Sequence, residues 1–354
     1  MTLWEQIQAL DPQNMLGEIQ RLPDQLEQAW ALGQTLPLPE VRAPIRRVVI
    51  AGMGGSAIGA DLLASWLALR VAIPVIVWRD YDLPPWARGP ETLVVASSHS
   101  GNTEETLSAF RAALERGCVT VAITRGGKLG QAAQEASVPW WRFEHHGQPR
   151  AAVGYGFALP LALLHRLGLI PQSPEDELAD AVAAMREQQK RLEPEVPTVQ
   201  NPARRLAGQL IGRFVVIFGA QHLAPVARRW KGQMNEIAKA WAQFEVLPEA
   251  DHNTLAGIHH PDALFTSAMH LFLDAPSLHP RNRQRVLLTR QVFLESGLNT
   301  DMVEARGGSP MAHQWTLLHL GDYVAYYLAL DYQEDPTPVE AIETFKKMLA
   351  EAGT

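Results

Sequence analysis

Apolar positions along the chain fall into two alternating rhythms. Over residues 1–36 they recur at helical spacing: Leu3, Ile7 and Leu10, then Leu16, Ile19 and Leu22, then Leu26 and Trp30. A proline-containing linker from Leu36 to Pro44 leads into short runs that read as buried strands, Arg47–Ala51, Val75–Trp78, Thr92–Ala96 and Val119–Ile123, with a further extended run at Trp140–Phe143. Helical patterns lie between them, carried by Leu62, Leu63 and Trp66 and by Leu107, Phe110 and Leu114. This alternation predicts a doubly wound parallel sheet whose ligand edge lies at the carboxyl ends of its strands. An apolar helix is expected over 157–169 and a charged amphipathic one over 175–193, before a proline-rich boundary from Pro194 to Pro202. Beyond it, the strand Phe214–Phe218, the turn Gly219-Ala220 and a helix over 223–241 repeat the outline of 48–66. The expected fold class is therefore α/β, with two related subdomains, each a mostly parallel sheet flanked by helices. We divide the chain into an N-terminal helical segment (1–40), a first subdomain (41–155), a helical connection (156–200) and a second subdomain (201–354). The apolar run 264–273 reads as a helix able to form an interface.

Two turns interrupt this pattern with phosphate-binding chemistry. Gly52-Met53-Gly54-Gly55-Ser56 joins the first strand to its helix, and Ser97-Ser98-His99-Ser100-Gly101-Asn102-Thr103 joins the third strand to the next one. At such places unpaired backbone N–H groups and the positive end of a helix dipole meet an anion. Ser98, Ser100 and Thr103 add hydroxyl donors, and Gly101 lets the backbone approach closely. One hydroxyl would suffice for a helix cap, so the cluster points to a cradle for a sugar phosphate. Gly52-x-Gly54-x-x-Ala57 also loosely fits a dinucleotide fingerprint, with Asp80 as a ribose binder, but that signal alone is weak. In the second half the turn has lost Gly-Gly-Ser, so its subdomain is free to supply catalytic groups.

Composition narrows the classes. The 354 residues, 47% of them hydrophobic, suffice for two cores, and a net charge of −7 argues against nucleic acid or an anionic membrane as a partner. The single cysteine, Cys118, allows no disulfide framework or thiolate cluster and reads as core. No run reaches membrane-spanning length and no signal-type start is evident, so a cytoplasmic protein is expected. His145-His146 has no evident third ligand and reads as a solvated loop, so no metal is expected.

Two residues carry candidate acid–base chemistry. Glu236 lies at the edge of the stripe Met234, Ile237, Ala238 and Trp241, where a carboxylate is partly desolvated, as suits a general base. The plain alternative is a surface glutamate paired with Lys231 or Lys239. His252 falls in a polar loop rather than in a core pattern. Arg150, beside a turn, reads from its context alone as a surface charge.

Several segments together resemble the bifunctional phosphoglucose/phosphomannose isomerase family of sugar isomerase (SIS) domains. Ser98-His99-Ser100-Gly101-Asn102-Thr103-Glu104-Glu105-Thr106 is similar to the S-x-S-G-x-T-x-E-T signature, and Gly52 to Asp61 to G-M-G-G-S-x-I-x-x-D. Pro149-Arg150-Ala151 resembles P-R-A/S, Asn235–Lys239 with His252-Asn253 resembles N-E-x-A-K…H-N, and Asp335–Val339 resembles the closing D-P-T-P-V. The resemblance implies two SIS-type subdomains and a hexose 6-phosphate substrate held by Gly55, Ser56, Ser98, Ser100 and Thr103. It implies that Glu236 moves a proton between C1 and C2, that Arg150 reaches into the site, and that His252 opens the sugar ring across a homodimer interface. The implied reaction is exchange of glucose 6-phosphate, and mannose 6-phosphate, with fructose 6-phosphate through a cis-enediol, without metal or redox cofactor. Archaeal members carry a lysine in the last helix, whereas 321–330 holds none, a departure that bears on ring opening and substrate choice. The alternative is a regulatory sugar-phosphate-binding protein that keeps the fold without turnover; the pairing of Glu236 with His252 speaks against it.

Overall fold

The structure, a computed structural model, describes residues 2–352, the side chain of Leu264 excepted. Helices α1 (Leu3–Leu10), α2 (Met15–Gln20) and α3 (Leu22–Gly33) precede the first sheet. That sheet unit comprises β1 (Arg47–Ala51), α4 (Gly54–Leu67), β2 (Val75–Trp78), β3 (Thr92–Ser97), α5 (Glu104–Glu115), β4 (Val119–Ile123), α6 (Gly127–Glu135) and β5 (Trp140–Trp141). Helices α7 (Val153–Arg166), α8 (Glu175–Gln189) and α9 (Pro202–Leu210) lead to the second unit. It holds β6 (Phe214–Ala220), α10 (Ala224–Glu236), β7 (Ala242–Leu247), α11 (Asp262–Ser267), β8 (Ala268–Asp274), α12 (Pro280–Glu295) and β9 (Thr300–Glu304), and α13 (Pro310–Asp331) and α14 (Glu340–Ala352) close the chain.

Both sheets are parallel throughout, ordered β2-β1-β3-β4-β5 and β7-β6-β8-β9. In each, the first strand sends its successors to opposite sides, which opens a crevice at the carboxyl ends of β1 and β3 and of β6 and β8. The central strands β3, β4 and β8 are buried along their whole length, as expected when helices cover both faces. The run 264–273 is corrected here: from Ala268 it is strand, buried at the middle of the second sheet. An apolar run of that length fits a buried strand as well as a helix, and pairing with β6 and β9 decides between them.

The core is continuous across both units, and α13 is its axis. Residues Met311–Leu330 are buried on every face of that helix. Several of its polar groups bond to other segments: Gln314 Nε2 donates to the His222 carbonyl at 2.8 Å, His319 Nε2 meets the Ile19 carbonyl at 3.0 Å, and the Tyr326 hydroxyl donates to Asp11 at 3.1 Å. No helix among the described residues is long and apolar enough to cross a membrane.

Burial pushes the imidazoles of His99, His222 and His319 down to about 4. Above pH 6.5 these groups are neutral in folded and unfolded chains alike, and stability is full. Between 6.5 and 4 the unfolded chain binds protons that the folded chain refuses, so stability falls as pH falls, by up to about 1.4 kcal/mol per pH unit for each histidine. Urea unfolding midpoints should drop steeply from pH 6.5 to 4.5. A flat profile over that window would mean that these rings titrate freely in the folded protein.

Candidate active site

The two turns lie side by side at the crevice between β1 and β3. A Cβ on Gly52 would come within 2.7 Å of the Ser97 carbonyl oxygen, so glycine is what lets them approach. Gly55 and Ser56 occupy the first turn of α4, where backbone N–H groups lack intrahelical partners. In the second turn, Gly101 has φ of 72°, and a side chain there would overlap the Gly126 carbonyl beyond β4. The Lys128 N–H donates to Asn102 Oδ1 at 3.1 Å, so the loop after β4 braces the cradle from behind.

The hydroxyls are less free than their sequence suggests. Ser98 Oγ lies 2.9 Å from Thr103 Oγ1 and accepts from the Gly101 N–H at 3.1 Å. The pair uses one hydroxyl proton between them and leaves one for a ligand. Ser100 is exposed, and its Oγ accepts from the Asn102 N–H at 3.1 Å. His145 is corrected from a solvated loop to a packed residue. Its Nδ1 is 3.0 Å from His99 Nε2, inside the cradle turn, and its Nε2 is 2.9 Å from Glu18 on α2. The bond from His145 holds the Glu18 carboxyl below its usual range against the opposing effect of burial. Only His146 faces solvent. Asp80 accepts from the neighbouring Tyr81 N–H at 2.8 Å and serves its own turn.

Arg150 is buried, not a surface charge, on a short 3-10 turn, Pro149–Ala152. A Cβ on Gly55 would overlap the Pro149 carbonyl and lie 3.3 Å from Arg150 Cα, so the cradle rests directly on this turn. The guanidinium donates to the carbonyls of Pro336 (2.8 Å) and Thr337 (2.5 Å), and its Nη1 stands 3.8 Å from Glu236 Oε2. Burial draws the Arg150 pKa down, and Glu236 draws it part of the way back. Arg150 is itself positioned: its carbonyl accepts from Arg229 Nη1 at 2.8 Å, and Arg229 meets Asp322 of α13 at 3.2 and 2.9 Å, with both partners buried.

Glu236 is the last residue of α10, with a third of its side chain (33%) exposed. A carboxylate at a helix C-terminus opposes the dipole, and Arg150 supplies the compensating charge. The expected stripe is shortened: Met234, Ile237 and Ala238 are buried, but Trp241 is 71% exposed, because the helix ends at Glu236 and Trp241 lies beyond the reversal, against Phe214. The alternative partner Lys239 does bond Glu236, but at its backbone carbonyl, 2.7 Å away.

His252 ends a 3-10 turn, Glu249–His252, after β7 and is exposed. Asp251 fixes that turn by accepting from Arg285 and Thr289, each at 2.7 Å, beside a groove of about 310 Å³ lined by Leu255, Leu288 and Val292. Among the described residues, no hydrogen bond or ion pair ties His252 to Glu236 or Arg150. One chain thus brings together Gly55, Ser56, Ser98, Ser100, Thr103, Arg150 and Glu236 through a series of contacts and leaves His252 at the surface. The Arg229–Asp322 pair and the His99–His145–Glu18 series are what sequence reading missed. A carboxylate within the apolar run 321–330 was the available signal for the first.

A family model described as the bacterial phospho-glucose isomerase C-terminal SIS domain matches residues 199–349. A bifunctional phosphoglucose/phosphomannose isomerase of Caldicellulosiruptor bescii is 39% identical over 340 residues, covering 95% of this chain and 99% of the relative. The chain belongs to the bifunctional phosphoglucose/phosphomannose isomerase family. A second member of that family, from Aquifex aeolicus, is 34% identical over 86% of this chain and 91% of its own. The same fold recurs in the crystal structure of a hypothetical protein from Thermus thermophilus. That protein is 17% identical, with a TM-score of 0.76, over 99% of this chain and 94% of its own.

Proposed function

We propose that this chain interconverts glucose 6-phosphate and mannose 6-phosphate with fructose 6-phosphate by proton transfer through a cis-enediol. The relatives from Caldicellulosiruptor bescii and Aquifex aeolicus carry both activities in their names. The observation that carries the reading is Arg150, in contact with the Gly55 turn on one side and 3.8 Å from the Glu236 carboxylate on the other. That arrangement sets a base and a cation beside a phosphate cradle, as isomerisation of a phosphorylated sugar requires. Phosphate is held by the α4 N-terminus at Gly55 and Ser56 and by Ser98, Ser100 and Thr103. Glu236 removes and returns the proton, Arg150 faces the oxygen that becomes negative, and His252 opens the ring. The surface position of His252 supports its being supplied by a second copy, in a C2 dimer with shared sites. The proposed setting is the cytoplasm, and the chemistry as proposed draws on side chains alone. A coupled assay with each hexose phosphate, on material sized by light scattering, tests all of this. No turnover of any of them would end the isomerase reading, and a fully active monomer would end the sharing of His252.

The cradle has its own test. Ser100→Ala removes a hydroxyl donor to a charged phosphate and should weaken fructose 6-phosphate binding by about 1–3 kcal/mol in calorimetry. Unchanged binding would move the phosphate elsewhere.

A further inference from the structure

The exit from α10 is built on a residue that backbone sterics disfavour there. Lys239 has φ of 55°, in the left-handed region where helices usually end on glycine. A side chain in that conformation crowds the following carbonyl oxygen. The reversal lets the Ala240 N–H reach the Met234 carbonyl at 3.0 Å, a bond glycine would permit with less strain. The lysine side chain therefore needs a reason of its own.

Its ammonium donates to the Glu236 carbonyl at 2.7 Å and, among the described residues, forms no ion pair. The charged groups around it are Glu236 on α10, Arg150 on the 149–152 turn, and Glu334 and Asp335 after α13. Asp335 is turned toward its own segment, accepting from the Thr337 N–H at 2.8 Å. Lys239 is exposed as a whole, but partial desolvation of its ammonium, then the neighbouring Arg150, draws its pKa below the ordinary value. Arg150 and Lys239 thus bring two cations to the end of α10 where Glu236 stands, and Lys239 is the one of the two that forms no ion pair among the described residues.

We propose that Lys239 is a catalytic residue of the isomerisation, its ammonium binding the substrate oxygen on which charge develops as Glu236 takes the proton. This rests on the reading of Glu236 as transfer base. Starting from the aldose, the C2–H pair becomes the C1–C2 double bond, and the C1 carbonyl pair moves onto O1, facing the ammonium. Glu236 then returns the proton to C1, apart from the share that exchanges with solvent, while the O2 proton passes to O1 and the carbonyl re-forms at C2. A capping lysine would explain the bond to the Glu236 carbonyl, but not the choice of a strained residue over glycine.

Lys239→Gly separates the two roles, because it relieves the backbone while removing the ammonium. The expected result is a melting temperature equal to or above that of the parent, with kcat lowered about 10²-fold, the scale of losing one oxyanion donor. KM should change far less. An alkaline limb set by the ammonium should disappear from the kcat profile in both Lys239→Gly and Lys239→Arg, with the rate retained at high pH only in Lys239→Arg, whose guanidinium stays charged. Parental kcat and pH profile in Lys239→Gly would overturn the proposal. So would a loss of activity that only tracks a loss of stability, since that is capping. Failure of the underlying reading looks different: an inactive parent, or an active Glu236→Gln, removes the base itself.

Discussion

Glu236→Gln is expected to lower kcat by about 10²–10⁴-fold, the range for removing a positioned general base. The amide keeps the shape of the side chain and stands outside the proposed phosphate cradle, so Kd for fructose 6-phosphate should barely move. The companion measurement is exchange of the C2 hydrogen of glucose 6-phosphate with deuterated water. A base that holds the proton between C2 and C1 lets some of it escape to solvent, so the parent should place solvent label in product and Glu236→Gln should abolish that labelling. Complete transfer of label from C2 to C1, with none from solvent, would point to a hydride shift and remove Glu236 from its role. His252→Ala should also slow turnover, but less when the sugar is presented in open-chain form, because ring opening is then bypassed.

Asp322→Ala is expected to be the most destabilising of the substitutions considered. Arg229 and Asp322 retain only 4% and 5% of their side-chain exposure. Removing one partner strands a buried guanidinium, which typically costs about 3–5 kcal/mol. Replacing both with apolar residues of similar volume should cost less, because no charge is then left unpaired. The pair has a second consequence, since Arg229 also donates to the carbonyl of Arg150. Asp322→Ala should therefore release the 149–152 turn that carries Arg150 and touches Gly55, and weaken product binding as well as stability. Chemical denaturation and calorimetry on the same variant read the two effects. A loss below about 1 kcal/mol would show that the pair is more solvated than its burial indicates.

The sequence by itself determined the alternation of buried strands with helices, the repeat of the first unit in the second, and the two phosphate-capable turns. Those features rest on short-range physics. Glycines and hydroxyls cluster between a strand and a helix start, and Gly101 meets the positive φ of its own turn. Family motifs carried Glu236, His252 and Arg150, whose local patterns alone read as ordinary surface residues. Tertiary structure decided the rest, because the deciding contacts join segments far apart along the chain. Trp241 fits the helical period of α10, yet the left-handed Lys239 ends the run before it. Run 264–273 is strand because β6 and β9 flank it. His145 leaves solvent because α2 brings Glu18 to it. Asp322 finds Arg229 only when α13 packs against α10 through Gly321, whose missing side chain makes room for Trp230. A periodic pattern records which face of an element is buried, but the partner of a buried charge is set by how the elements pack, which local sequence does not encode.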